Sequence, residues 1–276
     1  MDRQFKLIAL SRALFAVSTL LILVLNNDVT LFGVEEFGEG LLHNLGKYNF
    51  FYLMGQQSIF WSKLIACVIL FVSIIGVLPR YTILLQLWVQ WSFINSSISI
   101  EGGDQVAYLV TLFLTPIFIL DSSWNMWRTK TLKITKTKLE LIRFCLNLIK
   151  IQAVIIYFIA SVGKYSVEQW LNGTSLYYWF IDPTFGMPDY LKLLILPLLT
   201  NGWFVFIGAW VVLILELSLS TGLFIKKKYK RKLFMAGVAF HFSIFLVHGL
   251  PNFMISMIGL LIIYLLVDYK RMETLC

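Results

Sequence analysis

Residues 143–173, RFCLNLIKIQAVIIYFIASVGKYSVEQWLNG, carry an apolar run long enough to cross a bilayer and, inside it, a stripe of polar side chains. Arg143, Asn147, Lys150, Tyr157, Ser161 and Lys164 recur at spacings of three, four and seven. At about 3.6 residues per turn these positions share one side of a helix. The other side is Leu, Ile, Val and Phe, as lipid or apolar neighbours require. A cation facing hydrocarbon is costly, so the stripe should face other helices or a wet cavity. Function is sought on that face.

The rest of the chain is built the same way. Of 276 residues 59% are hydrophobic and 14% charged, with a mean hydropathy of +0.79. So little charge over such a length excludes a soluble domain. The apolar runs are continuous rather than alternating, which predicts helices and not a barrel. A net charge of +8 would suggest nucleic acid in a soluble protein. Here the basic residues collect in loops between apolar runs, and nucleic acid is rejected as a partner in favour of the lipid bilayer. Cys67, Cys145 and Cys276 form no C-x-x-C pair and read as small apolar fillers. The N-terminal apolar run ends in Asn26-Asn27-Asp28 without a small-residue cleavage motif, so it is expected to stay as a first span.

Eight spans are predicted, at 7–26, 58–78, 82–99, 104–121, 142–164, 203–225, 233–249 and 252–268, near the ~20 residues that a bilayer requires. Residues 190–200 are apolar but short and contain Pro197, which predicts an interfacial or re-entrant piece. With the N-terminus inside, most of the 23 basic residues become cytoplasmic, including Arg80, Lys136, Lys138, Lys226–Lys228 and Lys270. Glu35, Glu36, Glu39, Glu101, Asp104, Glu168, Asp182 and Asp189 become external. The expected fold is an all-α integral membrane protein, a single domain over 1–276, with both termini cytoplasmic.

Several polar residues fall inside these spans. Lys164, at the outer end of the fifth, either snorkels to the interface or faces a cavity. A lysine in a semi-buried pocket gives up its proton more readily, because desolvation disfavours the charged form, and can then act as a base. Glu216, in the middle of the sixth span, is a functional candidate or a structural partner of Lys150, Arg12 or His241. His241 and His248 share a face of the seventh. With Glu216 they lack the H-x-x-x-H or H-E-x-x-H spacing of a metal site, and no metal is expected. Trp88, Trp91 and Asn95 share a face of the third span. They read as interhelical packing or as one wall of an aromatic pocket that opens outward. The outer aromatics Trp170, Tyr177, Tyr178, Trp179 and Phe180 read as an interfacial belt, with a binding surface as the alternative.

Phe158-Ile159-Ala160, Lys164, Trp170 and Asn172-Gly173 resemble the Y-F-I-A-G-x-x-K-x(5)-W-x-x-G signature of the HTTM family, membrane domains related to vitamin K-dependent gamma-glutamyl carboxylase. Ser161 stands where the signature has glycine. Glu216-Leu217, His241 and Phe253 are similar to the later E-L, H and F pattern of bacterial members. WSFINSSISIEGGDQVAYLVTLFLTPI, residues 91–117, is similar to the sporulation-delaying protein B (SdpB) branch. The resemblance implies a bacterial cell-membrane protein that matures a secreted antimicrobial peptide toxin. It would act on an exported SdpC-like precursor with a small SdpA-like companion protein. It also implies Lys164 as a base toward a reduced, vitamin K-like quinone. Glu216, His241, Asn95, Trp170, Gly173, Tyr157 and Asp104 would then shape or brace the pocket. Two alternatives stay open: a non-catalytic membrane chaperone or receptor that presents the precursor, and a transporter or immunity protein. The lack of an inverted repeat with matched Gly/Pro breaks argues against transport.

Overall fold

Apolar runs in this chain become helices because a helix satisfies its own backbone hydrogen bonds wherever water is excluded. The computed structural model describes residues 2–33, 48–53, 59–128 and 135–269. The expectations for Glu35, Glu36, Glu39, Lys270 and Cys276 lie outside the described residues. The long helices are α1 (Asp2–Leu25), α2 (Ile59–Ile75), α3 (Pro79–Ser96), α4 (Gly102–Ile119), α5 (Lys136–Lys164), α6 (Gly202–Ser220), α7 (Lys227–His248) and α8 (Pro251–Leu261). The last continues as one π-helical stretch, Ile262–Leu266. Among the described residues there is no strand, only an isolated bridge between Val77 and Asn125. α1, α4, α5 and α6 are long and apolar enough to cross a membrane, while Ile59–Ile75 and Pro251–Leu266 are shorter apolar helices.

Local chemistry sets the ends. α3 and α8 begin with proline in the first turn, where the missing N–H costs nothing. Glu101 and Asp104 form a capping box at the start of α4, and Asn201 accepts from the N–H groups of Trp203 and Phe204 at the start of α6. Asp104 is therefore a brace, buried and reached also by Asn252 Nδ2 at 3.4 Å. Gly249 ends α7 in the left-handed region, which turns the chain directly into α8.

α1 is the central post, packed on α2, α4 and α8. α5 packs on α4 and, along much of its length, on α6, while α7 leans on α8 and meets α6 over a shorter stretch. Arg12 of α1 is fully buried. Its guanidinium donates to Gln86 Oε1 (3.2 Å), Thr82 Oγ1 (2.8 Å) and Pro79 O (3.2 Å) and lies 4.6 Å from the centre of the Phe118 ring. One side chain thus ties α1 to α3 and α4. Between α5 and α6, residues 165–201 fold into three short helices, Glu168–Leu171, Ser175–Ile181 and Asp189–Leu199. The third covers the predicted short apolar piece, with Pro197 in its last turn.

Candidate functional site

The polar stripe of α5 turns inward for most of its length. Lys150, Tyr157 and Ser161 are buried, whereas Asn147 is exposed and Arg143 lies at the edge. Lys150 Nζ donates to Val267 O (2.9 Å) at the foot of α8, Tyr157 Oη meets His241 Nε2 (2.9 Å), and Ser161 Oγ donates to Leu213 O (3.2 Å). Ser161, in the position where the quoted signature has glycine, holds α5 to α6 through a carbonyl.

At the head of the stripe, Lys164 Nζ donates to both carboxylate oxygens of Glu216, at 2.8 and 2.7 Å, and to Ala160 O at 3.0 Å. All three ammonium protons therefore have acceptors. The Glu216 side chain is 7% exposed and that of Lys164 22%. This replaces the expected partners of Glu216: Arg12, Lys150 and His241 each bond elsewhere. It also replaces the alternative of a lysine that snorkels along its own helix.

The spacing of the lysine, tryptophan and glycine has a geometric reason. α5 closes in consecutive tight turns (Tyr165 N to Val162 O, Ser166 N to Gly163 O, Val167 N to Lys164 O), and the short helix Glu168–Leu171 folds back over it. That return sets the Trp170 ring over Lys164, with Nζ 5.2 Å from its centre, a distance at which ring and cation attract. Gly173 then takes a left-handed backbone (φ 77°), and a Cβ there would stand 2.4 Å from the Phe206 ring of α6. Only glycine lets this segment approach so closely. Gly173 is thus a packing residue and not part of the lysine's pocket.

Beside the ion pair lies a cavity of about 320 Å³ between α5, α6, α7 and the short helices. Lys164 and Glu216 form its charged end. Trp170, Leu176, Trp179 and Phe180 lie above, and Val212, Phe240, Ser243, Ile244, Val247 and His248 complete the walls. Phe240 was not singled out in the sequence, and His248 was weighed only beside His241 and Glu216 as a metal ligand. The aromatics at 179 and 180 looked like a belt because nothing local shows that helix Ser175–Ile181 turns inward. His248 Nδ1 bonds Phe185 O, which closes the rim. The rim turn is held by Asp182, whose Oδ1 accepts from the N–H groups of Thr184 and Phe185. These two bonds, Phe185's first, lower its carboxyl below the ordinary carboxylate range.

Two expected members stand apart. Asn95 donates from Nδ2 to Trp91 O of its own helix (2.7 Å), and Trp88 Nε1 donates to Tyr48 O with its ring against Phe50. This face of α3 is covered by residues 48–52 and helps no cavity at Lys164. His241 lies below the ion pair, buried between Phe240, Phe253 and Tyr157, with Nδ1 unbonded. His241, His248 and Glu216 make separate bonds and do not converge.

The chain is 34% identical over 260 residues to the sporulation-delaying protein SdpB of Bacillus subtilis strain 168, covering 93% of this chain and 80% of that protein. It is 30% identical over 264 residues to the uncharacterized protein YitO of the same strain, covering 93% of this chain and 84% of that protein. No protein-family model and no solved structure matches it.

Proposed function

The chain belongs to the family of the sporulation-delaying protein SdpB, and on that premise we propose that it is a multi-pass bacterial membrane protein that helps produce a secreted peptide toxin, with the Lys164–Glu216 cavity as its working site. The observation that carries this reading is an ion pair at the end of an aromatic-walled cavity of about 320 Å³, within the size range of small-molecule pockets. In this reading all eight long helices cross the bilayer, both termini are cytoplasmic, and the cavity opens in the outer half. There it meets the exported precursor and a small companion protein.

The chemistry available is proton transfer. In the resting pair Lys164 carries the proton that Glu216 lacks. Passing one proton from the ammonium to the carboxylate leaves a neutral amine beside a neutral acid, with no net charge to be buried. That amine then accepts a proton from an acidic group of a ligand in the cavity, and Glu216 keeps the one it received. A reduced quinone fits this donor set, its ring against Trp170, Trp179 or Phe180 and a hydroxyl at Lys164; when bound it would supply the acidic proton. The wider likeness to the HTTM family rests on the motifs quoted above.

One observation favours a second reading. Because every proton of Lys164 is already donated, the pair also works as a clip between α5 and α6 that only holds the site in shape. Lys164→Arg separates the two, since arginine keeps the charge and the pairing but does not give up its proton. Mass spectrometry of the secreted peptide from strains carrying the wild type, Lys164→Arg and Lys164→Ala is the test. A base requires that both variants abolish the dependent modification or processing. Mature peptide at wild-type yield from Lys164→Arg sinks the lysine mechanism and leaves the clip.

A further inference from the structure

α7 runs from the cavity rim at His248 to the opposite end of the bundle, where residues 226–232 read KKKYKRK. Cations in the first turns of a helix face the positive end of its dipole and weaken it. Lys226, at the cap position, offers no side-chain acceptor to the free N–H groups. Helix stability is therefore not what this run supplies. Lys226, Lys227, Lys228, Arg231 and Lys232 are exposed, and Phe224 just before them is 85% exposed.

The elements packed against this end add more positive charge. Lys150 of α5 is buried there, bonded to Val267 O and 5.0 Å from the centre of the Tyr269 ring, and the guanidinium of Arg143 lies 5.8 Å from that ring. Asp268 bonds Lys227, and Glu140 pairs with Arg143 at 2.6 Å. Burial pushes the Lys230 ammonium below the ordinary lysine range; Asp268 offsets part of this and Lys227 adds to it. Cations thus outnumber acids at this end, partly out of water, next to a phenylalanine presented to the surroundings.

We propose that this end of the bundle is a binding surface for anionic phospholipid. The phosphodiester groups sit among Lys228, Lys230, Arg231 and Lys232, and Phe224 enters the acyl layer beside them. Charge complementarity argues for a phosphate partner, and the exposed ring argues for one that brings hydrocarbon with it.

The test uses the full chain in nanodiscs of phosphatidylcholine alone and of phosphatidylcholine mixed with phosphatidylglycerol. The thermal unfolding midpoint is measured, and native mass spectrometry counts the lipids retained. The wild type is expected to unfold several degrees higher with phosphatidylglycerol, by an amount that shrinks with added salt. Lys228→Gln/Arg231→Gln/Lys232→Gln should lose that gain and retain roughly tenfold less phosphatidylglycerol. The control Lys136→Gln/Lys138→Gln, at exposed lysines of α5, should keep it. Equal wild-type midpoints in the two lipids overturn the proposal, as does a triple variant that keeps the gain. Inorganic phosphate at matched ionic strength that reproduces the gain in phosphatidylcholine also overturns it, since the site would then take free phosphate. Should the triple variant fail to fold, the wild-type comparison alone decides.

Discussion

Glu216 is 5% exposed and carries a charge that a single residue, Lys164, balances with two short hydrogen bonds. Removing one member of such a pair leaves the other buried without compensation, which costs on the order of 3 kcal/mol or more. Replacing both by apolar groups of similar volume is often neutral. Glu216→Ala should therefore lower the unfolding midpoint in detergent markedly, and Lys164→Met/Glu216→Leu should restore most of it. A double-mutant cycle checks this, and a double variant as unstable as Glu216→Ala would show that the pair is not the source of the cost. The importance of Lys164 was legible in the sequence because its stripe placed it on an inward face. Its partner was not. Glu216 lies about 20 Å into α6 at 1.5 Å per residue, whereas Lys164 ends α5, so a simple hairpin puts them at different depths. They meet because α6 begins well beyond the end of α5, flanked by the short helices of residues 168–199. Asn95 is the reverse case. Helical spacing left it as interhelical packing or a pocket wall, and its amide bonds its own helix at Trp91 O.

At the scale of elements, the long helices were legible because each is a continuous apolar run with its own stop signals, such as the Gly249–Pro251 corner. Of the short helices between α5 and α6 the third was marked as the apolar piece at 190–200, and the first two were not. Four and seven residues make too little helix to announce themselves, and these are fixed by what they pack on. The turn at 182–186, between the second and third of these helices, hangs on one side chain and can be perturbed by titrating it. Asp182 accepts from Thr184 and Phe185, and Phe185 in turn presents its carbonyl to His248 at the cavity rim. Because the two N–H bonds favour the ionised carboxyl, its folded value lies below the unfolded one. The turn's contribution is therefore fully present above the ordinary carboxylate range, and it fades as the pH falls through the lowered folded value. Fluorescence of Trp179, whose ring lies 6.3 Å from the His248 imidazole, should report this as a titration at acid pH. Asp182→Asn should remove that titration while leaving an oxygen that can accept the same bonds. A wild-type signal that does not change across the carboxylate range would detach the rim from Asp182.

For the whole molecule, hydrogen bonds between connections show which helix ends lie together. Among the described residues, four helices have the length and apolarity to be assigned to the bilayer by composition. Hydrogen bonds, however, tie the shorter helices to the same two ends. Leu78 N donates to Trp124 O and Met126 N to Gly76 O, which joins the α2–α3 turn to the loop that follows α4. His248 bonds Phe185 O, which joins the α7–α8 corner to the segment that precedes α6. α7 must then run from the lysine-rich end to the cavity end, the same distance that α6 covers in the other direction. A bundle in which only α1, α4, α5 and α6 cross would put the α7–α8 corner at the lysine-rich end, apart from Phe185. Membrane-impermeant thiol labelling of single-cysteine variants, with Cys67, Cys145 and Cys276 replaced by serine, reads this directly. Thr184→Cys and Leu250→Cys should both react in intact cells, and Lys228→Cys only after the membrane is opened. Labelling of Leu250→Cys on the side of Lys228→Cys would remove α7 and α8 from the spanning set. Labelling of Lys228→Cys in intact cells, with Thr184→Cys protected, would invert the molecule and move the Lys164 cavity to the cytoplasm, away from any exported peptide.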